Sequence, residues 1–230
     1  MKFGKLTVIG AVLAASMYLT GIARADSVNG AFYYQYLGPY TTLSLGSAPT
    51  SAPGIAPDAT FTASGTSGNV FSFDLPNSGV AGDVDLYSFL TAGGDTVTGI
   101  NNTSGPGTDN INNGVMVFTG DTYLKAGTTY EFTHDDGMML YLSLNGTSPI
   151  TTAINAPGAT SAEVSSFTVA TTGDYWFEAI YAEVNGGPAV LTSDIVATPE
   201  PSSLLLLGTG LLGLAFALFR KNKPASFTLR

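Results

Sequence analysis

The sequence has no cysteine, one histidine and one tryptophan in 230 residues. Without disulfides, a domain working outside the cell must be held by its core or by a bound metal. Basic residues are scarce and badly distributed. Lys2, Lys5 and Arg24 lie at the front, Arg220, Lys221, Lys223 and Arg230 at the back, and Lys125 stands alone between them. From Asp26 to Thr198 sixteen acids face that one base, a formal charge of −15. Such a body repels phosphate backbones, which rules against nucleic acid, and attracts cations. The same acidity also keeps a secreted protein in solution. One histidine and no cysteine supply a zinc site poorly. A Ser-His-Asp site would have to use His134, which reads instead as a turn residue at a strand end. Two carboxylates suffice for a glycosidase, but nothing in the sequence pairs them across a cleft. The expectation is a protein that is not an enzyme.

Helical patterning is the other thing in short supply. Leu/Glu/Lys periodicity is almost absent, while 11 Tyr and 13 Phe accompany many Thr, Ser and Gly. Aromatic and β-branched residues at this density favour pleated, half-buried strands over disorder. Alternation agrees. "AFYYQYL" places Phe32, Tyr34 and Tyr36 on one face, and "VFSFDL" does the same for Phe71, Phe73 and Leu75. "LYLSLNG" aligns Leu140, Leu142 and Leu144, and "DYWFEAIYAEV" sets Tyr175, Phe177, Ala179 and Tyr181 against Trp176, Glu178 and Ile180. Period-2 runs broken by turn clusters predict roughly ten short strands in an all-β, antiparallel, jelly-roll-like β-sandwich over residues 26–197. Gly46–Ala59, rich in Ala, Pro and Ser, reads as a long surface loop or a seam. Asn101–Gly114 reads as a solvated connection, because its acids lack the spacing of an EF-hand loop.

Both ends are apolar. Lys2 and Lys5 precede an apolar run from Leu6 to Leu19, and Ala23-Arg24-Ala25 forms a small-x-small cleavage site before Asp26. This is the pattern of a signal peptide over residues 1–25, with Ala23, Ala25 and Asp26 at the cut. At the other end Leu204–Phe219 would reach about 24 Å as a helix, short of a ~30 Å hydrocarbon core. Arg220, Lys221 and Lys223 follow it, so the last residues, 224–230, are expected to stay cytoplasmic. The marginal span, a transmembrane helix over 203–219, suits a temporary anchor.

Pro199-Glu200-Pro201, then the short apolar segment, then Arg220-Lys221-Asn222-Lys223 resembles the PEP-CTERM sorting signal of Gram-negative bacteria. That resemblance covers residues 198–223. It implies an exosortase-type membrane protease as a partner, acting at or near the Pro-Glu-Pro. It also implies an inner-membrane-tethered precursor that ends at the cell surface or in an extracellular polysaccharide or biofilm matrix.

The body carries a second resemblance. Thr129–Thr133 runs into His134-Asp135-Asp136-Gly137, and a further strand and Asn145-Gly146 follow. Asp-Gly between alternating strands predicts a hairpin. The wider pattern from Gly120 to Leu191, including "TTGDYWFEAIYAEVNGGPAVL" as a later hairpin, resembles the β-sandwich domain first seen in anthrax protective antigen. That domain also occurs in flocculins, adhesins and glycosidases. In its sugar-binding members, paired aspartates hold Ca²⁺, and the ion grips sugar hydroxyls. Carried over by motif, Asp135 and Asp136 would be the paired ligands and Asn185 a third. Such a hard cation takes its oxygens from carboxylates, amides and carbonyls. The resulting expectation is calcium-dependent glycan binding or adhesion. A structural matrix protein without a specific ligand is the alternative, and a glycoside-active enzyme comes third.

Overall fold

The computed structural model describes residues 27–34, 43–64, 69–75, 84–102, 110–147, 149–184 and 188–196, with 208, 210, 211 and 213–215 in the tail. The chain divides into two units, Met1–Thr198 and Pro199–Arg230. In the first, the elements run β1 (Val28–Tyr34), β2 (Ala59–Ser64), β3 (Ser72–Leu75), α1 (Leu86–Thr91), β4 (Thr96–Asn102), β5 (Gly114–Leu124), β6 (Thr129–His134), β7 (Met138–Leu144), β8 (Thr151–Ala156), β9 (Glu163–Thr168), β10 (Gly173–Glu183) and β11 (Ala189–Ser193). In the second, the described residues are helical. Among the described residues no helix is long and apolar enough to cross a membrane. The rest of the expected span at 203–219 lies outside them.

Among the described residues the strands form two antiparallel sheets. One has seven strands in the order β4-β2-β1-β5-β10-β7-β8, and the other has four in the order β3-β11-β6-β9. Their inner faces meet through aromatic side chains. Phe71, beside β3, lies 5.4 Å from Phe118 on β5 and 5.6 Å from Phe177 on β10, ring centre to ring centre. Phe73 stacks on Phe118 at 5.5 Å. Edge-to-face and offset contacts at these separations are the favoured aromatic geometries, and they fill the space between the layers. The fold is therefore the antiparallel β-sandwich that the alternation predicts.

Three features depart from the sequence expectations. The short helix α1 was not legible, because its 6 residues are too few for a helical period to show. Its N-terminus is capped by Asp85, whose carboxylate accepts from the Ser88 N–H at 2.8 Å. Its buried Phe89 stacks on Tyr181 at 5.7 Å.

Residues 43–58 are not a free surface loop. They lie as a strap over the outer face of the seven-stranded sheet. There Ala48 is buried with Tyr33, Val115, Val117, Met139, Ile180 and Ala182, and Ala52 packs against them. Strap and sheet are tied by the Tyr141 hydroxyl, which donates to the Thr50 carbonyl at 2.6 Å. Both faces of β5 and β10 are consequently covered at one end.

The third departure concerns the hairpins. β6 lies in the four-stranded sheet and β7 in the seven-stranded one, so Asp135–Gly137 is an arch from one sheet to the other. β10 and β11 also belong to different sheets, and their connection is not a hairpin either. A two-residue Asp-Gly hairpin wants positive φ at both central residues. Here the left-handed residue is Asp136, at φ 59°, and Gly137 does not share that conformation.

Candidate functional site

The arch is built by burial and by its amides. On β6, Tyr130, Phe132 and His134 point inward, so the strand ends with an imidazole inside the sandwich. The carbonyl of Asp136 can only accept, so His134 Nδ1–H donates to it, at 2.9 Å. Nε2 meets the Ser165 hydroxyl on β9 at 2.9 Å, with Glu163 Oε1 3.7 Å away. His134 thus ties β6, the arch and β9 together. It is a buried link at the strand end, not merely the turn residue that the sequence suggested.

Each arch amide is anchored on a different segment. Asp135 N–H donates to Val190 on β11 at 3.0 Å, Asp136 N–H to Thr160 at 3.0 Å, and Gly137 N–H to Gly46 of the strap at 2.8 Å. The Gly137 carbonyl accepts from Ala182 on β10 at 2.9 Å. A Cβ on Gly137 would run into the Ala48 amide nitrogen and the Pro157 carbonyl oxygen, so only glycine fits. Gly46, at φ 72°, passes so close to Asp136 that a Cβ there would sit 3.0 Å from the carboxylate. Strap, arch, the Pro157–Thr160 segment and the end of β10 therefore wall one corner of the sandwich.

Two carboxylates occupy this corner. Asp135 is 8% exposed and Asp136 4%. Val184 N–H donates to Asp136 Oδ2 at 2.7 Å. Burial pushes the Asp135 carboxyl up, against a backbone donor and the nearby His134. Burial pushes Asp136 further, to about 6, and the adjacent Asp135 charge adds to it, although the Val184 amide opposes the shift. Two desolvated carboxylates side by side gain from a proton or a cation between them. Carboxylate oxygens are the donors a hard ion such as Ca²⁺ prefers, so the pair fits that ion in kind. Among the described residues no group of three or more His, Cys, Asp or Glu side chains is placed to hold a metal. Further oxygens would have to come from backbone, amide or water.

Of the residues singled out in the sequence, Asp135 and Asp136 are brought together here. Asn185 lies outside the described residues. So do Ala23, Ala25 and Asp26, Pro199, Glu200 and Pro201, and Arg220, Lys221 and Lys223. Sequence reasoning missed the latch at His134, the close approach of Gly46, and Glu183, which is buried at the end of β10. A glutamate in an apolar strand was a visible signal, because Glu is almost never fully buried unless paired.

Residues 197–221 match the PEP-CTERM protein-sorting motif. The tail is therefore a sorting signal of the exported kind. No curated protein matches the chain. Among solved structures, the PA14 domain of the MpAFP antifreeze protein is 20% identical, over 79% of this chain and 87% of that one, with a TM-score of 0.40. A PA14 sugar-binding domain from an RTX adhesin is 17% identical, over 75% of this chain and 98% of that one, with a TM-score of 0.43.

Proposed function

We propose that this is an exported surface or matrix protein whose β-sandwich binds glycans through a Ca²⁺ ion held by Asp135 and Asp136, with Asn185 as a further ligand. It is not an enzyme. The observation that carries this reading is the pair of adjacent, almost fully buried carboxylates at the arch, both raised by burial. A turn made only to reverse the chain has no need to bury two acids. An ion there would be gripped by the carboxylates from below and offer its remaining positions to vicinal sugar hydroxyls. In this reading the signal peptide (1–25) exports the body (26–197). The helix at 203–219 holds the precursor in the inner membrane of a Gram-negative cell, with residues 224–230 left in the cytoplasm. An exosortase-type protease acts at Pro199-Glu200-Pro201.

The test is a glycan array probed with the exported protein, with millimolar Ca²⁺ and with chelator, beside thermal melting. An ion that binds only the folded state stabilises it by about 2.7 kcal/mol at a hundredfold excess over Kd. Ca²⁺ is expected to raise Tm and to be required for glycan retention. Asp135→Asn with Asp136→Asn should abolish both effects. An equal Ca²⁺ shift in wild type and double variant would leave general charge screening as the cause, and a structural matrix role would then lead.

A further inference from the structure

Glu183 is 1% exposed, as buried as any core phenylalanine. It stands in the chain between two hydrogen bonds that fasten the arch to β10, Ala182 N–H to the Gly137 carbonyl and Val184 N–H to Asp136 Oδ2. Its carboxylate accepts from the Tyr181 hydroxyl at 2.7 Å. Tyr181 is itself fully buried and stacked on Phe89. The phenol is held well above its ordinary range by burial, by Glu183 and, further off, by Asp135 and Asp136, so all three acids act on one small region. Lys125 is the only lysine or arginine between Asp26 and Thr198. It follows β5, whose last residue pairs with Gly173, the opposite end of β10 from Glu183. Ten strand residues separate those ends by roughly 33 Å, far beyond a Debye length of about 8 Å. No lysine or arginine of the body reaches this corner, and the basic side chain at it is the His134 imidazole, which acts on Asp135.

We propose that Glu183 is a positioning residue for the cation site, a role that rests on the calcium reading above. Anchored by the Tyr181 hydroxyl, it fixes the end of β10 so that the Val184 amide holds one oxygen of Asp136 and leaves the other for a divalent cation. When ionised, its carboxylate raises the affinity of the corner for that cation without touching it.

The experiment is a calorimetric Ca²⁺ titration of the full chain, alongside calcium-free melting, for wild type, Glu183→Gln and Asp135→Asn/Asp136→Asn. Glutamine keeps an acceptor for Tyr181 and removes the charge. Groups behind the ligands typically contribute about 10–100-fold to metal affinity, so E183Q is expected to weaken Ca²⁺ binding at least tenfold. Its calcium-free Tm should hold or rise, since a buried charge has gone. Wild-type affinity in E183Q, with binding lost in the double variant, overturns this inference and leaves the calcium reading intact. No Ca²⁺ binding by wild type removes both. A fall in calcium-free Tm that accounts for the lost affinity also overturns it, as a plain structural role would do that. Should E183Q not fold, Tyr181→Phe serves instead, and wild-type Ca²⁺ affinity in that variant is the overturning result.

Discussion

Gly137 is the residue on which the arch turns. A methyl group there meets backbone atoms of Ala48 and Pro157, which cannot rotate away as a side chain could. Overpacking against fixed atoms typically costs about 1–3 kcal/mol. Gly137→Ala should therefore lower the unfolding free energy, read from denaturant titration, by that order, whereas Gly54→Ala, where a Cβ meets nothing within 4 Å, should leave it nearly unchanged. Asp136 supplies a pH dependence whose sign follows from its environment. Its folded value of about 6 lies above the ordinary 3.8, so the folded state holds the extra proton between those values. The stability that this proton confers is complete below pH about 4 and is lost as pH rises through about 6. At 1.36 kcal/mol per unit the loss is at most about 3 kcal/mol. Calcium-free melting from pH 4 to 7 should show Tm falling, and Asp136→Asn should flatten that part of the fall.

The strap gives the seven-stranded sheet a second buried face. Ile180 looks from alternation like an outward residue opposite Phe177 and Tyr181, yet it is fully buried under the strap. Ile180→Ala should then carry the cost of a core truncation, about 2–5 kcal/mol. Val164 on the edge strand β9 is 60% exposed, and Val164→Ala should stay within about 0.5 kcal/mol. Equal small effects in urea unfolding would show that the strap does not cover the sheet in solution. The strap also reaches the site, because Gly46 accepts from Gly137 and lies against Asp136. Removing the Tyr141 hydroxyl by Tyr141→Phe should cost about 1 kcal/mol, the net worth of one hydrogen bond.

For the molecule as a whole, the sorting motif at 197–221 sets the expectation for what leaves the cell. Extracellular material should have a mass that starts at Asp26 and lacks Leu204–Arg230. Intact-mass measurement decides, and a full-length tail on the extracellular form would sink the processing scheme. The body, residues 26–197, is strongly acidic and has no disulfide. Its stability must come from the packed core, from the strap and, in the calcium reading, from the ion.

The sequence by itself determined the sandwich and the sorting tail. Period-2 alternation survives in any register, so β1, β3, β7 and β10 and their inward side chains could be read without coordinates, and the sorting tail is a linear signal. It also marked Asp135 and Asp136, because an adjacent acid pair before glycine is local information. Only the tertiary structure decided which sheet each strand joins. The same Asp-Gly serves a hairpin or an arch according to the partners of the flanking strands, and β6 pairs with β9 and β11 while β7 pairs with β8 and β10. That choice depends on contacts far apart in the chain. It turned a supposed turn into a buried corner, drew His134 inside, closed the strap over Ile180 and set Glu183 beside the arch. Burial is a property of what covers a residue, and no local pattern states what will cover it.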